Sequence, residues 1–254
     1  MDLADPRTFE LFLEIYGTLP RAGPGSTEDT LRALALVPGD PRPKTVLDLG
    51  CGPGAQTVVL AEALPESSIL AMDLTPQMVI EADRRCAEAG FGERVRVKRG
   101  DMFGPIAPPA SQDLIWCEGA IYFAGVERAL RTWHPLLSPN GAVAFTEPIW
   151  TQLSPPENLV AWWLDEYPAI TNESGVRDAV SSAGFDTIGY FPLPAAAWWN
   201  EYYGPMEQRV VEFRAQHGGD TVATEIANEA EKEIETFRRY SDFYTYGFFV
   251  VRPS

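Results

Sequence analysis

The chain has 254 residues, 45% of them hydrophobic, and a formal charge of −16 at pH 7. That length allows one large domain or two small ones, with enough apolar material for a sizeable core. The acid excess, set against only Lys44, Lys98 and Lys232, argues against nonspecific binding to nucleic acid or an anionic membrane, because both need clustered cations.

No run of 18 apolar residues occurs, so no transmembrane helix is expected. The acidic start, Met1 to Pro6, lacks the basic-then-apolar order of a secretory signal. Cys51, Cys86 and Cys117 have no CxxC spacing. They indicate reduced thiols in a cytoplasmic protein, with neither a disulfide frame nor a metal site.

Phe9, Leu11, Phe12, Leu13, Ile15 and Tyr16 place an amphipathic helix over 7–19, ending near Gly17. The segment Arg21-Ala22-Gly23-Pro24-Gly25-Ser26 leads to a second helix over 27–37, which Ser26 or Thr27 can cap. A proline-rich linker follows at 37–43. From Lys44 strands and helices alternate. Strands are expected at 45–49, 68–73, 94–99, 112–118 and 141–147, and helices at 55–64, 76–90 and 125–137. This spacing predicts an α/β fold, a parallel sheet with helices on both faces and ligands at the C-terminal rim of its strands.

After Glu147 the regularity loosens into an aromatic, proline-rich stretch at 150–167. A helix over 172–183 and a strand over 186–191 come next. About fifty residues then intervene before a final strand over 243–251. The intervening segment contains one long helix, 220–240, with Val222, Ile226, Ala230, Ile234 and Phe237 on one stripe. The expected organisation is one domain over 1–254. It comprises a helical cap (1–40), a core (44–192 and 243–254) and a helical lid (193–242) that emerges on the ligand side.

The stretch Val46-Leu47-Asp48-Leu49-Gly50-Cys51-Gly52-Pro53-Gly54 organises the rest. A buried strand stops and runs through three glycines into a helix whose free N–H groups point back at the turn. Gly50 to Ala55 satisfies the dinucleotide pattern G-x-G-x-x-G/A, and Asp73 lies about twenty residues on, where an acid grips ribose hydroxyls. Two features turn the reading from NAD to S-adenosylmethionine. Asp48 would repel a pyrophosphate but suits an amino-acid moiety. No Tyr-x-x-x-Lys is present: Asp40, Arg94 and Asn228 stand four residues before the three lysines. An NAD-dependent oxidoreductase and a non-catalytic cofactor-binding module remain the alternatives.

Lys44 to Glu147 resembles the class I S-adenosylmethionine-dependent methyltransferases. The matching pieces are VLDLGCGPG at 46–54, ILAMDL at 69–74, Gly-Asp-Met at 100–102, DLIWCEG at 113–119 and LLSPNG at 136–141. The wider chain resembles a branch near the quinone-biosynthesis methyltransferases (the methyltransferase type 11-like enzymes), through RAGPGS at 21–26, EGAIYFAG at 118–125 and the tryptophan-bearing lid. The resemblance implies a Rossmann-like seven-stranded sheet. It implies that Asp48, Gly50, Gly52, Gly54 and Gln56 surround the methionine portion of the cofactor. Asp73 would take the ribose hydroxyls, and Leu74 and Met78 would flank the adenine. Asp101 would accept from the adenine amino group, beside the Met102 N–H. Glu118, Gly119 and Ala120 would line the path to the methyl group.

Plainer roles stand beside these. Asp73 can cap a helix, Asp101 can hold a turn, and Met78 can be core. Arg21 and Ser26 are expected to close over the cofactor carboxylate, or simply to form a loop and a helix cap. Methyl transfer is an in-line displacement that needs alignment and exclusion of water, with a base optional. His134 and His217 read as structural. Glu118 and Glu147, at strand ends on the ligand rim, are the candidate catalytic acids, with Tyr122 beside them. Tyr122, Trp150 and Trp199 are the candidate acceptor contacts, through apolar packing or cation–π attraction. The expected activity is methyl transfer from S-adenosylmethionine to a small molecule.

Overall fold

The computed structural model describes residues 4–39 and 42–254. Residues 1–3, 40 and 41, which fall in the expected cap and linker, lie outside the described residues. Helix α1 (Pro6–Tyr16) begins where Asp5 accepts the Thr8 N–H and Pro6 supplies a φ suited to a first turn. Helix α2 (Thr27–Leu36) is capped by Ser26, whose hydroxyl accepts the Asp29 N–H at 3.1 Å.

Eight strands form one sheet: β1 (Thr45–Leu49), β2 (Ser68–Asp73), β3 (Val95–Arg99), β4 (Gln112–Cys117), β5 (Leu137–Trp150), β6 (Thr171–Asn172), β7 (Phe185–Pro192) and β8 (Tyr244–Pro253). Their order is β3-β2-β1-β4-β5-β8-β7, and β6 pairs with the end of β5. Strands β1 to β5 are parallel, while β8 runs antiparallel to β5 and β7. The expected seven strands are all present, and the two-residue β6 is an eighth.

Side-chain alternation gives the sheet two buried faces. Val46, Leu114, Trp116, Ala142, Ala144, Phe248 and Val250 pack on one side with residues of α2 and of α3 (Ala55–Ala63). Leu47, Ile115, Val143, Phe145 and Phe249 pack on the other, with α5 (Val126–Trp133) and α7 (Glu173–Ser182). Helix α4 (Pro76–Glu88) follows β2. Each fully buried Val, Leu or Phe contributes roughly 1.5–3 kcal/mol.

Three elements differ from expectation. Strand β5 covers 137–150 rather than 141–147: it begins early at Leu137, which pairs with Gln112 of β4 ahead of a register shift, and it continues past Glu147 because Pro148 is accommodated opposite Tyr246 of antiparallel β8. Its pairing with β4 ends at Cys117↔Phe145, so residues 146–150 overhang the end of β4. Helix α6 (Glu157–Glu166) fills part of the stretch read as irregular.

The segment between β7 and β8 holds more than one helix. It contains α8 (Ala195–Trp198), a π-helical turn at Trp199–Tyr203, α9 (Gly204–Gln216) and α10 (Thr221–Tyr240). Gly204-Pro205 looks like a breaker, but proline is tolerated in a first turn. Helix α10 starts at Asp220, which accepts the Val222 and Ala223 N–H groups. No described helix is long and apolar enough to cross a membrane.

Candidate functional site

The turn after β1 is held by its own backbone. Gly50, Gly52 and Gly54 have φ of +70°, +53° and +84°, a region that disfavours any residue with a Cβ. Space is short as well: a Cβ on Gly50 would lie 2.4 Å from Ala120 Cβ, and one on Gly54 2.9 Å from Ala82. Gly50 and Cys51 both donate to the Met72 carbonyl, at 2.8 and 2.9 Å. Gly52 N–H donates to Asp73 Oδ2 at 3.0 Å. The turn is thereby tied to the end of β2, and Gly54 becomes the N-cap of α3.

Asp48 lies beneath the turn and not in it. Its carboxylate accepts the Thr57 hydroxyl at 2.6 Å and the Gln56 amide at 3.4 Å, and it is fully buried. Burial raises its pKa to about 7. The expectation that Asp48 lies against the methionine portion of the cofactor is corrected: fully buried, it braces the first turn of α3. Gln56 also turns inward, donating to the Cys51 carbonyl at 3.1 Å. Asp73 is half-buried at the rim. It accepts one N–H on each oxygen, from Gly52 and from Thr75 at 2.8 Å.

On the β2–β3 side, Leu74 is 63% exposed beside Asp73, whereas Met78 is buried. Asp101 accepts the Phe103 N–H at 2.9 Å in a tight turn. The Met102 carbonyl takes the Trp133 indole N–H at 2.9 Å.

The segment 21–26 covers the turn from the other side. A Cβ on Gly52 would lie 3.2 Å from Ala22 Cβ, and one on Gly119 would lie 4.0 Å from Gly23 Cα. Arg21 is buried, with Nη1 3.1 Å from Glu118 Oε2 and Nε 2.8 Å from Glu201. Glu118 Oε1 accepts from Thr30 and from the Trp116 indole, both at 2.8 Å. Both residues are thus engaged with protein groups in this structure. Both Glu118 oxygens accept hydrogen bonds, and Arg21 joins three segments of chain. Ser26 is engaged as the α2 cap and also donates to Asp29 at 2.5 Å.

Glu147 is placed differently. The overhang of β5 sets it beside the 118–123 turn, which is anchored to the neighbouring residue by Gly119 N–H donating to Thr146 Oγ1 at 2.7 Å. Its Oε1 accepts the Tyr167 hydroxyl at 2.5 Å. Its Oε2 is buried without a partner among the described residues. Burial pushes its pKa up to about 8. Tyr122 packs edge-on against Tyr167, with centroids 5.8 Å apart. Burial and the fields of Glu233, Glu147 and Glu166 raise its own pKa.

Sequence reasoning missed Glu233, which accepts hydroxyls from Tyr16, Tyr202 and Tyr203 at 3.1, 3.0 and 3.0 Å. One signal was available: Glu233 falls three residues after Ala230 and four before Phe237, on the buried stripe of α10.

Trp150 and Trp199, both half-buried, take part in aromatic packing. Trp150 meets Trp163 edge-on at 6.2 Å. Trp199 packs on Tyr203 and Phe237, with the Arg238 guanidinium over its ring at 5.1 Å. His134 rests on Phe185, and His217 lies 2.8 Å from Glu14.

Residues 46–141 match a family model described as a methyltransferase domain. Trans-aconitate 2-methyltransferase of Streptomyces avermitilis is 33% identical over 117 residues, 45% of this chain and 43% of that protein. The chain thus matches less than half the length of that curated relative. Among solved structures, an S-adenosylmethionine-dependent methyltransferase from Geobacter sulfurreducens, in complex with S-adenosyl-L-homocysteine, is similar with a TM-score of 0.82 at 21% identity over 98% of both chains. One from Thiobacillus denitrificans, also in complex with S-adenosyl-L-homocysteine, gives 0.82 at 21% identity over all of both chains.

Proposed function

We propose that this chain, whose fold is that of the class I S-adenosylmethionine-dependent methyltransferases, binds S-adenosylmethionine and transfers its methyl group to a small molecule. The observation that carries this reading is the glycine turn fastened to Asp73 at the C-terminal rim of a sheet of this order. The first turn of α3 supplies a positive backbone end for the methionine carboxylate. Asp73 spends one lone pair per oxygen on backbone N–H groups and keeps others for two ribose hydroxyls. Leu74 and Met78 flank the adenine, Asp101 and the Met102 N–H address its edge, and Gly119 borders the path to the methyl group.

Gly50, Gly52 and Gly54 let the backbone approach the ligand. Asp48, Gln56, Arg21, Ser26 and Glu118 hold the surrounding segments in place. The segment 193–242 acts as a lid on a single-domain enzyme, excluding water from the displacement. Glu147, with an unpaired buried oxygen, is the residue placed to orient the acceptor or take its proton. Tyr122 contacts the acceptor.

Calorimetric titration with S-adenosylhomocysteine and, separately, with NADH tests the reading. Micromolar binding of the first and none of the second is expected. Tight NADH binding without S-adenosylhomocysteine binding overturns it in favour of an oxidoreductase. Binding without methyl turnover across a broad acceptor panel leaves a cofactor-binding module.

A further inference from the structure

Two carboxyl groups act electrostatically on Tyr122, in the turn that follows β4. Glu147 comes from the overhang of β5, with the Tyr167 hydroxyl on one oxygen and the other sealed from water without a partner. Glu233 comes from α10 and receives the hydroxyl hydrogens of Tyr16, Tyr202 and Tyr203. Tyr122 and Tyr246 each stand in the field of both carboxyls.

The direction of these hydrogen bonds decides what the region offers a ligand. A phenol has one proton to donate. Tyr16, Tyr167, Tyr202 and Tyr203 each give theirs to a carboxylate. Lone pairs, ring faces and the unpaired Glu147 Oε2 are left. Among the described residues, no Lys, Arg or His is hydrogen-bonded to Glu147, to Glu233 or to these hydroxyls. Arg21, at the neighbouring end of β4, is already held by Glu118 and Glu201. A carboxylate or phosphate ligand would find no Lys, Arg or His among the described residues here to pair with. A donor-rich cation would pair with the stranded oxygen, removing the cost of burying it alone, and would lie favourably over the rings.

We propose that the acceptor is a small protonated amine, methylated on nitrogen and seated at Tyr122 beside Glu147, with Glu233 acting on the same ring. The proposal rests on the methyl-transfer reading above. The ammonium gives one proton to ionised Glu147 Oε2. The freed nitrogen lone pair forms the new N–CH3 bond as the donor's S–CH3 bond breaks, and that bond's electron pair stays on sulfur. The product is a methylammonium carrying the charge the sulfonium lost, and the Glu147 proton passes to water as the product leaves.

Benzylamine, benzyl alcohol and benzoate test it as probes of matched size and different charge, titrated into the protein saturated with S-adenosylhomocysteine. Benzylamine is expected to bind at least tenfold more tightly than either of the others at pH 7.5. Glu147→Gln and Glu233→Gln should each cut that preference at least fivefold while binding S-adenosylhomocysteine as the wild type does. Thermal melts confirm that each variant is folded, and Tyr122→Phe, which keeps the ring and both carboxyls, should retain the preference. Equal or tighter binding of benzoate or benzyl alcohol overturns the proposal, as does binding of none of the three at millimolar concentration. Failure of S-adenosylhomocysteine itself to bind would instead overturn the methyl-transfer reading.

Discussion

Arg21 Nη1 and Glu118 Oε2 meet at 3.1 Å across 97 residues of sequence, with both side chains almost wholly buried. The pair joins the segment before α2 to the end of β4, and Arg21 reaches on to Glu201 in the insert. Truncating one member strands the other charge in a poor solvent, which costs about 3–5 kcal/mol. Arg21→Ala should therefore lower the unfolding free energy by about 3 kcal/mol in urea titrations. Adding Glu118→Gln should restore at least a third of that loss, because the stranded charge is then gone. A double variant no more stable than Arg21→Ala would show that the pair carries no buried charge. Both variants should also weaken S-adenosylhomocysteine binding more than fivefold, since Ala22 and Gly23 are packed against Gly52 and Gly119.

The β1–turn–α3 unit was legible because its physics is local: an apolar run, three glycines and a helix pattern are all contiguous. Strand β5 and helix α9 were harder, because each contains a proline that sequence reads as a stop. Pro148 is tolerated by an antiparallel partner 98 positions on, Tyr246, and Pro205 by its place in a first turn. The side-chain chemistry was the least legible part. Glu118 and Glu147 look equivalent as strand-end acids, yet one has Arg21 for a partner and the other has only a phenol. That difference is set by Tyr167, just past α6, and by Arg21 in the N-terminal segment, which no local pattern brings together.

Two glycines with similar backbone angles separate crowding from strain. Gly50 has φ +70° and would place a Cβ 2.4 Å from Ala120. Gly90 has φ +82° and meets nothing within 4 Å. Gly90→Ala should cost only the left-handed penalty, roughly 1–2 kcal/mol, and leave ligand binding unchanged. Gly50→Ala must also move the turn or the 118–123 segment. It should reduce S-adenosylhomocysteine affinity at least tenfold by calorimetry. Equal affinities for the two variants would remove the glycine turn from the binding site.

Asp73 has two tasks that substitution can separate. It holds the Gly52 and Thr75 N–H groups, and it is proposed to accept two ribose hydroxyls. Asn keeps one acceptor oxygen and exchanges the other for a donor. Asp73→Asn should weaken S-adenosylhomocysteine binding about tenfold, in line with loss of a charge-assisted bond worth about 1.5–3 kcal/mol. Asp73→Ala should weaken it about a hundredfold and loosen the turn as well. Binding of free methionine, which has no ribose, should change less than threefold in the Asn variant. A large loss there would make Asp73 a scaffold for the turn and not a ribose ligand.

Glu147 links stability and activity to pH with opposite signs. Its carboxyl is pushed from an ordinary value of 4.5 up to about 8 by burial. Between those values the folded chain keeps a proton that the unfolded chain has released. The stabilising contribution of the protonated form is therefore complete below about pH 4.5 and is lost as pH rises through about 8. Asp48, raised to about 7, acts in the same direction. Glu147→Gln removes one of these two losses. Its stability advantage over wild type should grow from under about 1 kcal/mol at pH 5 to about 3 kcal/mol at pH 8.5, several degrees in Tm for a chain of this size. Methyl transfer moves the other way, because only ionised Glu147 can take a proton from the acceptor. The wild-type rate should climb as pH rises through about 8, and the Gln variant should be slower by 10²–10⁴ with that climb abolished. A Gln variant that gains stability with pH but keeps the wild-type rate profile would leave Glu147 buried for packing alone and move the proton acceptor elsewhere. Bulk water would then be the simplest recipient, since methyl transfer does not require a dedicated base.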